Sequence, residues 1–311
     1  VDSGRVLDDG LAKAVSFDAR YGAGVERVLV LGGGGIVFVA WLLGYLRGLA
    51  DHGVALESAD RVVGTSAGSV VAAVITAGHL TRAHREIEAL AKAPGVVAAL
   101  APAGDLHPSQ QRALELFWSA DNARPETIRA IGHAALAAHT PGADTLPRSL
   151  ELVLGQRHWS SEALWITATD AFTGERIVLT REAGVPVHDA AAASSTVPGL
   201  FAPQPIGDRK CIDGGVSGSA MHPDLAAGAA RALVIAVRDP GELGVATNVP
   251  GGFARSIDAL RATGTAVEVR TSRLAAGDIN LMDPHQIAPA LVLGAEQSKE
   301  DAQDLVAFFG S

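Results

Sequence analysis

Nineteen consecutive residues, Val28 to Leu46, carry no charge: VLVLGGGGIVFVAWLLGYL. About 18 such residues suffice for a membrane helix, so this run decides early what the chain can become. Four adjacent glycines, Gly32 to Gly35, interrupt it. Each glycine costs a helix interior about 1 kcal/mol relative to alanine, which disfavours one helix through the run. The run divides better into three parts. Val28 to Leu31 reads as a strand buried on both faces. The glycines form a loop. From about Val37 to Asp51, Phe38, Trp41, Leu42, Tyr45 and Leu49 recur at helical spacing, and Gly53 stops the helix. Strand, glycine loop and buried helix open an α/β sheet rather than a membrane span.

The glycine loop does not fit the common nucleotide patterns. No Gly-Lys-Ser/Thr follows it, and a dinucleotide fingerprint needs a small residue where Phe38 stands. What remains is a backbone whose N–H groups converge on an anion, either a phosphate or the oxyanion of acyl transfer. Composition narrows the class further. The chain has 311 residues, 48% hydrophobic but only 5% aromatic, which is enough for one large domain with a core of small and branched side chains. A net charge of −9 makes nucleic acid a poor partner and leaves at most peripheral contact with a membrane. Cys211 stands alone, so neither an internal disulfide nor a cysteine zinc site is available, and it reads as a buried strand residue. No metal or cofactor is expected. With no signal peptide or membrane span recognised, the expected compartment is the cytoplasm. Nothing in the sequence sets the oligomeric state.

A second apolar stretch carries the chemistry. Arg61-Val62-Val63 reads as a strand that runs into Gly64-Thr65-Ser66-Ala67-Gly68 and then a helix, Ser69 to Ile75, ended by Gly78. This is G-x-S-x-G between strand and helix. Such a turn exposes a serine hydroxyl at a strained tip, while Gly64 and Gly68 let strand and helix approach closely. The helix N-terminus places partial positive charge beside a developing anion. A glycine- and serine-rich turn that only packs is the plainer alternative.

A nucleophilic serine needs a base. His222 and His285 follow Ser66 in the order of an α/β-hydrolase triad, but each adjoins a proline and reads first as a loop residue. Asp213 ends a short strand, Lys210-Cys211-Ile212, and precedes two glycines. A poorly solvated carboxylate there has a raised pKa and becomes a usable base. On spacing alone, an ordinary Asp-Gly turn is an equally good reading.

Taken together, these segments resemble the patatin-like phospholipases, lipid acyl hydrolases that use a Ser-Asp dyad. Leu31 to Gly35 is similar to the family's oxyanion loop, and Gly64 to Gly68 to its G-x-S-x-G. Ala193 to Phe201, ASSTVPGLF, resembles its A-S-S-x-x-P-x-x-F, and Asp213-Gly214-Gly215 its D-G-[GA]. Ala168-Thr169-Asp170 with Thr173-Gly174-Glu175 resembles the strand and turn between them. The resemblance implies a mostly parallel central sheet flanked by helices, a three-layer sandwich related to the α/β-hydrolases. It implies Ser66 as nucleophile, Asp213 as base, and Gly33, Gly34 and Gly35 as oxyanion donors. It implies a lipid or acyl-ester substrate; Phe38 and Trp41, on the helix after the glycine loop, are expected to bind it. The same acyl-enzyme also serves an acyltransferase, and a weakly active lipid-binding protein is a further alternative.

One departure stands out. The family follows its glycines with Arg or Lys and then Gly, whereas this chain has Val37 and Phe38. Uncharged acyl esters are therefore expected to be better substrates than phospholipids. In outline, residues 1–25 read as a tail or edge element and 26–240 as the catalytic domain, with a helical cap over about 81–160. The loop-like stretch Pro240 to Gly252 precedes a helical C-terminal segment, 253–311, packed on the same domain.

Overall fold

The computed structural model describes residues 10–93, 105–237, 252–274 and 280–309. Its strands are β1 (Arg27–Leu31), β2 (Arg61–Gly64), β3 (Leu164–Asp170), β4 (Arg176–Leu179), β5 (Gln204–Ile206), β6 (Arg209–Asp213), β7 (Arg231–Ala236) and β8 (Ala266–Thr271). Its helices are α1 (Gly35–Asp51), α2 (Ala67–Thr76), α3 (Leu80–Ala91), α4 (Pro108–Ser119), α5 (Pro125–Ala137), α6 (Thr145–Leu154), α7 (Val187–Ser194), α8 (Gly252–Ala262) and α9 (Ile287–Phe309).

Strand β1 explains the layering. Side chains alternate with a period of two, so a strand that is apolar throughout must be covered on both faces. Leu29 and Leu31 enter one apolar core, and Val28 and Val30 enter another. The first core is roofed by α1, α2, α3, α6, α7 and α9. The second is closed by Phe253, Ile257 and Leu260 of α8 and by Leu225 and Ala226. A third cluster joins Phe117 of α4 and Ile131 of α5 to Ile212 and Val216.

The sheet runs in the order β5-β6-β3-β2-β1-β7-β8, with β4 also paired to β3. Strands β3, β2, β1, β7 and β8 are mutually parallel. Strands β4 and β6 run antiparallel to β3, and β5 antiparallel to β6. The fold is thus a mostly parallel sheet between helical layers, as expected. Because β1 and β2 are parallel neighbours, their carboxyl ends, Leu31 and Gly64, lie side by side. Asp213, at the end of β6, pairs with Ala168 of β3, one strand beyond β2.

The uncharged run folds as strand, glycine loop and helix, with α1 starting at Gly35 rather than Val37. Among the described residues no helix is long and apolar enough to cross a membrane. Helix α1 is apolar on all sides because α9 covers it. A Cβ on Gly44 would collide with the Leu291 carbonyl, and one on Gly294 with the Trp41 carbonyl. The bare backbones allow the two helices to touch. Tyr45 brings a polar atom to this contact, and its hydroxyl donates to Asp301 at 2.7 Å, while the Ser298 hydroxyl lies against Gly48.

One expectation needs correction. The C-terminal segment 253–311 is not wholly helical, because β8 lies within it and extends the sheet beside β7. Only Val267-Glu268-Val269-Arg270 alternates apolar and charged residues, a strand pattern too short to stand out. Pro147 is the third residue of α6. A proline there removes an N–H that has no partner within the helix. Of the stretch Pro240 to Gly252, only Gly252 lies within the described residues.

The α1–α9 contact generates a stability prediction. Gly44→Val should lower stability by about 1–3 kcal/mol through overpacking against the Leu291 backbone. A drop in the midpoint of thermal unfolding would show it, and an unchanged midpoint would contradict the contact.

Candidate active site

Three loops meet beside the ends of β1 and β2, although β6 runs antiparallel to those strands. They follow β1 (Gly32 to Gly34), β2 (Thr65 and Ser66) and β6 (Gly214 and Gly215). Ser66 is the residue before α2 and holds φ +51° and ψ −121°. That conformation is costly for a residue with a Cβ and persists only where the surroundings enforce it. The flanking glycines show what enforces it. A Cβ on Gly64 would come within 2.5 Å of Ser69 Cα, and one on Gly68 would strike the Leu31 carbonyl. Larger residues at either position would push α2 off the strand ends and relax the turn. Gly64 and Gly68 are thus the points at which strand and helix pack backbone to backbone.

The Ser66 side chain lies beside the Asp213 carboxylate and favours its charged form. Asp213 is 4% exposed, and its Oδ1 also accepts from Gly215 N–H at 2.8 Å. Its backbone is tied on both sides. Its N–H donates to Thr196 O at 2.9 Å, and its carbonyl accepts from Thr169 Oγ1 at 2.9 Å. Burial raises the Asp213 pKa from 3.8 to about 6, while the Gly215 N–H and the Ser66 side chain oppose the rise. The carboxylate is thus a stronger base than an ordinary aspartate and is still largely ionised at neutral pH.

The segment Ala193 to Phe201 touches both partners. Ser194 Oγ accepts from Ser66 N–H at 2.9 Å, and Thr196 carries the carbonyl that holds Asp213. Sequence reading placed Ser194 in a motif without giving it this task. The signal was there, because a strained turn needs a partner for its own N–H.

The glycine loop divides its donors. Gly32 N–H donates to Ile235 O at 3.0 Å, Gly33 N–H to Ala220 O at 3.0 Å, and Val37 N–H to Leu281 O at 3.1 Å. Gly33 lies against Ser66, since a Cβ on it would be 3.3 Å from Ser66 Cβ. Its N–H is nevertheless engaged, which corrects its expected place among the oxyanion donors. Among the described residues, no acceptor takes the N–H of Gly34, Gly35 or Ala67. Ala67 follows the serine at the N-terminus of α2, a donor that sequence reading did not include.

Phe38 and Trp41 are also corrected as substrate-binding residues. Both are fully buried. They stack with Tyr45 along α1, at centroid separations of 5.6 and 4.5 Å, and offer a ligand no surface. Their periodicity was that of core packing. The histidines do not meet Ser66 either. His222 is fully buried with both ring nitrogens engaged elsewhere, and His285 is exposed on the turn before α9. Among the described residues no cluster of three or more His, Cys, Asp or Glu side chains is arranged for a metal. Cys211 is buried in β6, as expected.

A family model described as patatin-like phospholipase matches residues 29–223, a span that includes the glycine loop, the elbow and Asp213. The chain belongs to the patatin-like phospholipase family. Among solved structures, the type III effector protein ExoU is similar, with 18% identity, a TM-score of 0.34, and coverage of 90% of this chain and 53% of ExoU. VipD from Legionella pneumophila is similar with 12% identity, a TM-score of 0.38, and coverage of 90% of this chain and 67% of VipD. The patatin-like chain thus spans about half the length of ExoU. No curated protein matches its sequence.

The raised pKa has a consequence for stability. A carboxyl group whose folded pKa lies above its unfolded value favours folding when protonated, below about pH 4. That contribution is lost as pH rises through about 6. Asp213→Asn, which cannot ionise, should therefore be more stable than wild type at neutral pH, by at most about 3 kcal/mol. The difference should vanish below about pH 4. Thermal melts of both proteins across this range would test it, and a variant less stable than wild type at pH 7 would refute it.

Proposed function

We propose that this patatin-like protein hydrolyses lipid-like carboxylic esters through Ser66 and Asp213, without a histidine. A strained Ser66 at the strand–helix turn, set beside a buried carboxylate of raised pKa, supports this reading most directly. Ser66 Oγ attacks the ester carbonyl carbon as its proton passes to Asp213. The carbonyl oxygen becomes an oxyanion beside Gly34, Gly35 and Ala67, whose N–H groups have no other acceptor among the described residues. The tetrahedral adduct collapses, and Asp213 returns the proton to the departing alcohol. An acyl-enzyme on Ser66 remains. Asp213 then takes a proton from water, the resulting hydroxide attacks the acyl carbonyl, and Ser66 leaves with that proton as the fatty acid is released.

The environment of Val37 and Phe38 supports a preference for uncharged esters. Both side chains are fully buried, and no cationic side chain stands where the family carries Arg or Lys. A headgroup phosphate gains nothing from this turn of the loop beyond backbone N–H groups.

Fluorophosphonate labelling tests the dyad. Wild type should label, Ser66→Ala should not, and Asp213→Asn should label more slowly by about 10²-fold or more. Wild type that does not label sinks the reading. kcat/KM should rise with pH through about 6, as Asp213 ionises in the free enzyme. Substrate preference is checked separately. Short p-nitrophenyl esters or acylglycerols should be cleaved faster than phosphatidylcholine, and clearly faster phospholipid cleavage overturns that part.

A further inference from the structure

His222 carries a role that the dyad leaves unused. It is fully buried and holds φ +52° and ψ +54°, a left-handed conformation uncommon for a residue with a Cβ. Its Nδ1 lies 3.2 Å from Arg176 Nη1, and its Nε2 lies 2.9 Å from the Gly214 carbonyl oxygen. A guanidinium only donates and a carbonyl only accepts. Nδ1 is therefore the acceptor, and Nε2 carries the hydrogen. A second proton on Nδ1 would point at the Arg176 guanidinium. Burial first, and then Arg176, push the His222 pKa down to about 4, against the opposing effect of Asp224 and Gly214. The ring is a neutral, fixed donor over the range in which Asp213 titrates.

Arg176 is locked in turn. It donates to both Asp224 oxygens, at 2.6 and 2.8 Å, and neither side chain has any exposed surface. It also donates to the carbonyls of Lys13 and Ala14, at 2.9 and 2.8 Å.

The Gly214 carbonyl belongs to the same peptide unit as the Gly215 N–H, which donates to Asp213 Oδ1 at 2.8 Å. A trans peptide is planar, with C=O and N–H pointing opposite ways. A side chain that grips the carbonyl therefore aims the N–H. Hydrogen bonds at both ends also polarise the amide and strengthen one another. Ser217 Oγ adds a second donor to the same carbonyl at 3.0 Å.

We infer that His222 is a positioning residue for the reaction: through the Gly214–Gly215 peptide it holds the Asp213 carboxylate toward Ser66, with the Arg176–Asp224 pair fixing the ring. This rests on the Ser66–Asp213 reading. Without the ring, the Gly215 N–H loses its aim, and the carboxylate loses a donor that favours its charged form. The charged groups facing His222 are Arg176 from β4 and Asp224 from the turn after it. Lys13 and Arg61 stand beyond Arg176, and the Arg209–Asp170 pair lies along β6 and β3. A substitution at position 222 removes none of these, so a shift in the pH profile reports on Asp213.

The test compares wild type, His222→Ala and His222→Gln on a soluble uncharged ester from about pH 5 to about pH 9. Thermal melts establish that each variant folds. His222→Ala should lose kcat by about tenfold to a hundredfold with little change in KM, and its acid-limb midpoint should move up. His222→Gln keeps an N–H donor near the position of Nε2 and should recover most of kcat and the wild-type midpoint. A folded His222→Ala with wild-type kcat and midpoint overturns the inference. So does an equal loss in both variants with an unmoved midpoint, which is what lost packing alone would give. Should His222→Ala not fold, His222→Gln and ring nitrogen NMR of wild type carry the test. A neutral Nε2–H ring from about pH 5 to about pH 8 is expected, and a ring that titrates there or bears its hydrogen on Nδ1 overturns the inference. Wild type inert to fluorophosphonate is a different failure, that of the dyad itself.

Discussion

The close approach of α2 to the end of β1 is the constraint on which the site depends. Gly68 lies against the Leu31 and Gly32 carbonyls, and its N–H donates to Gly32 O at 3.1 Å. Thr65 N–H donates to Leu31 O at 3.1 Å and extends the β1–β2 pairing by one bond. The chain must therefore reverse within Ser66, the single residue between Thr65 and α2. A φ of +51° follows from that geometry, and Ser194 Oγ satisfies the N–H that the turn leaves over. The strain at Ser66 is imposed by apolar packing around β1 and β2, whose side chains are buried in both cores.

Burial acts in opposite directions on the two halves of this region. It stabilises β1, α1 and α2, whose buried side chains are mostly apolar, although the Trp41 Nε1 of α1 has no acceptor among the described residues. At Asp213 it raises the free energy of the charged form, and only Gly215 and Ser66 offset it. A fold selected for stability alone would place an apolar residue there. Arg176 and Asp224 show the other solution to the same problem. They neutralise each other, and the remaining guanidinium donors end on two backbone carbonyls and on His222 Nδ1. The contrast separates a buried charge that is matched from one that is left available.

Much of this was legible in the sequence, for identifiable reasons. The four glycines, the G-x-S-x-G and the Asp-Gly-Gly each mark a place where a side chain would block a backbone contact, and such places have few alternative sequences. Periodicity was less discriminating. Phe38 and Trp41 recur at helical spacing whether they line a pocket or a core, and here Tyr45 and α9 cover them. Strand β8 was missed because Ala and charged residues dilute its alternation, and only pairing with β7 reveals it. Hydrogen-bond partners were not legible at all. Gly33 has the same residue type as Gly34, yet Ala220, far along the chain, takes its N–H.

That last difference shows how the loop selects its open donors. Carbonyls from three separate elements take the N–H groups of Gly32, Gly33 and Val37: Ile235 at the end of β7, Ala220 after β6, and Leu281 before α9. Engaging the donors on either side fixes the loop's path without a cation. Gly35 needs φ +65° to pass beneath Leu281, which no residue with a Cβ would accommodate at that distance. The backbone between the anchored positions is held by its surroundings, so it need not reorganise when charge develops nearby. The position that carries Arg or Lys elsewhere in the family is filled here by a buried valine whose own N–H is one of the anchors. A cation could stiffen such a loop through its side chain; in this chain the stiffness comes from the backbone and from the C-terminal segment that closes over it.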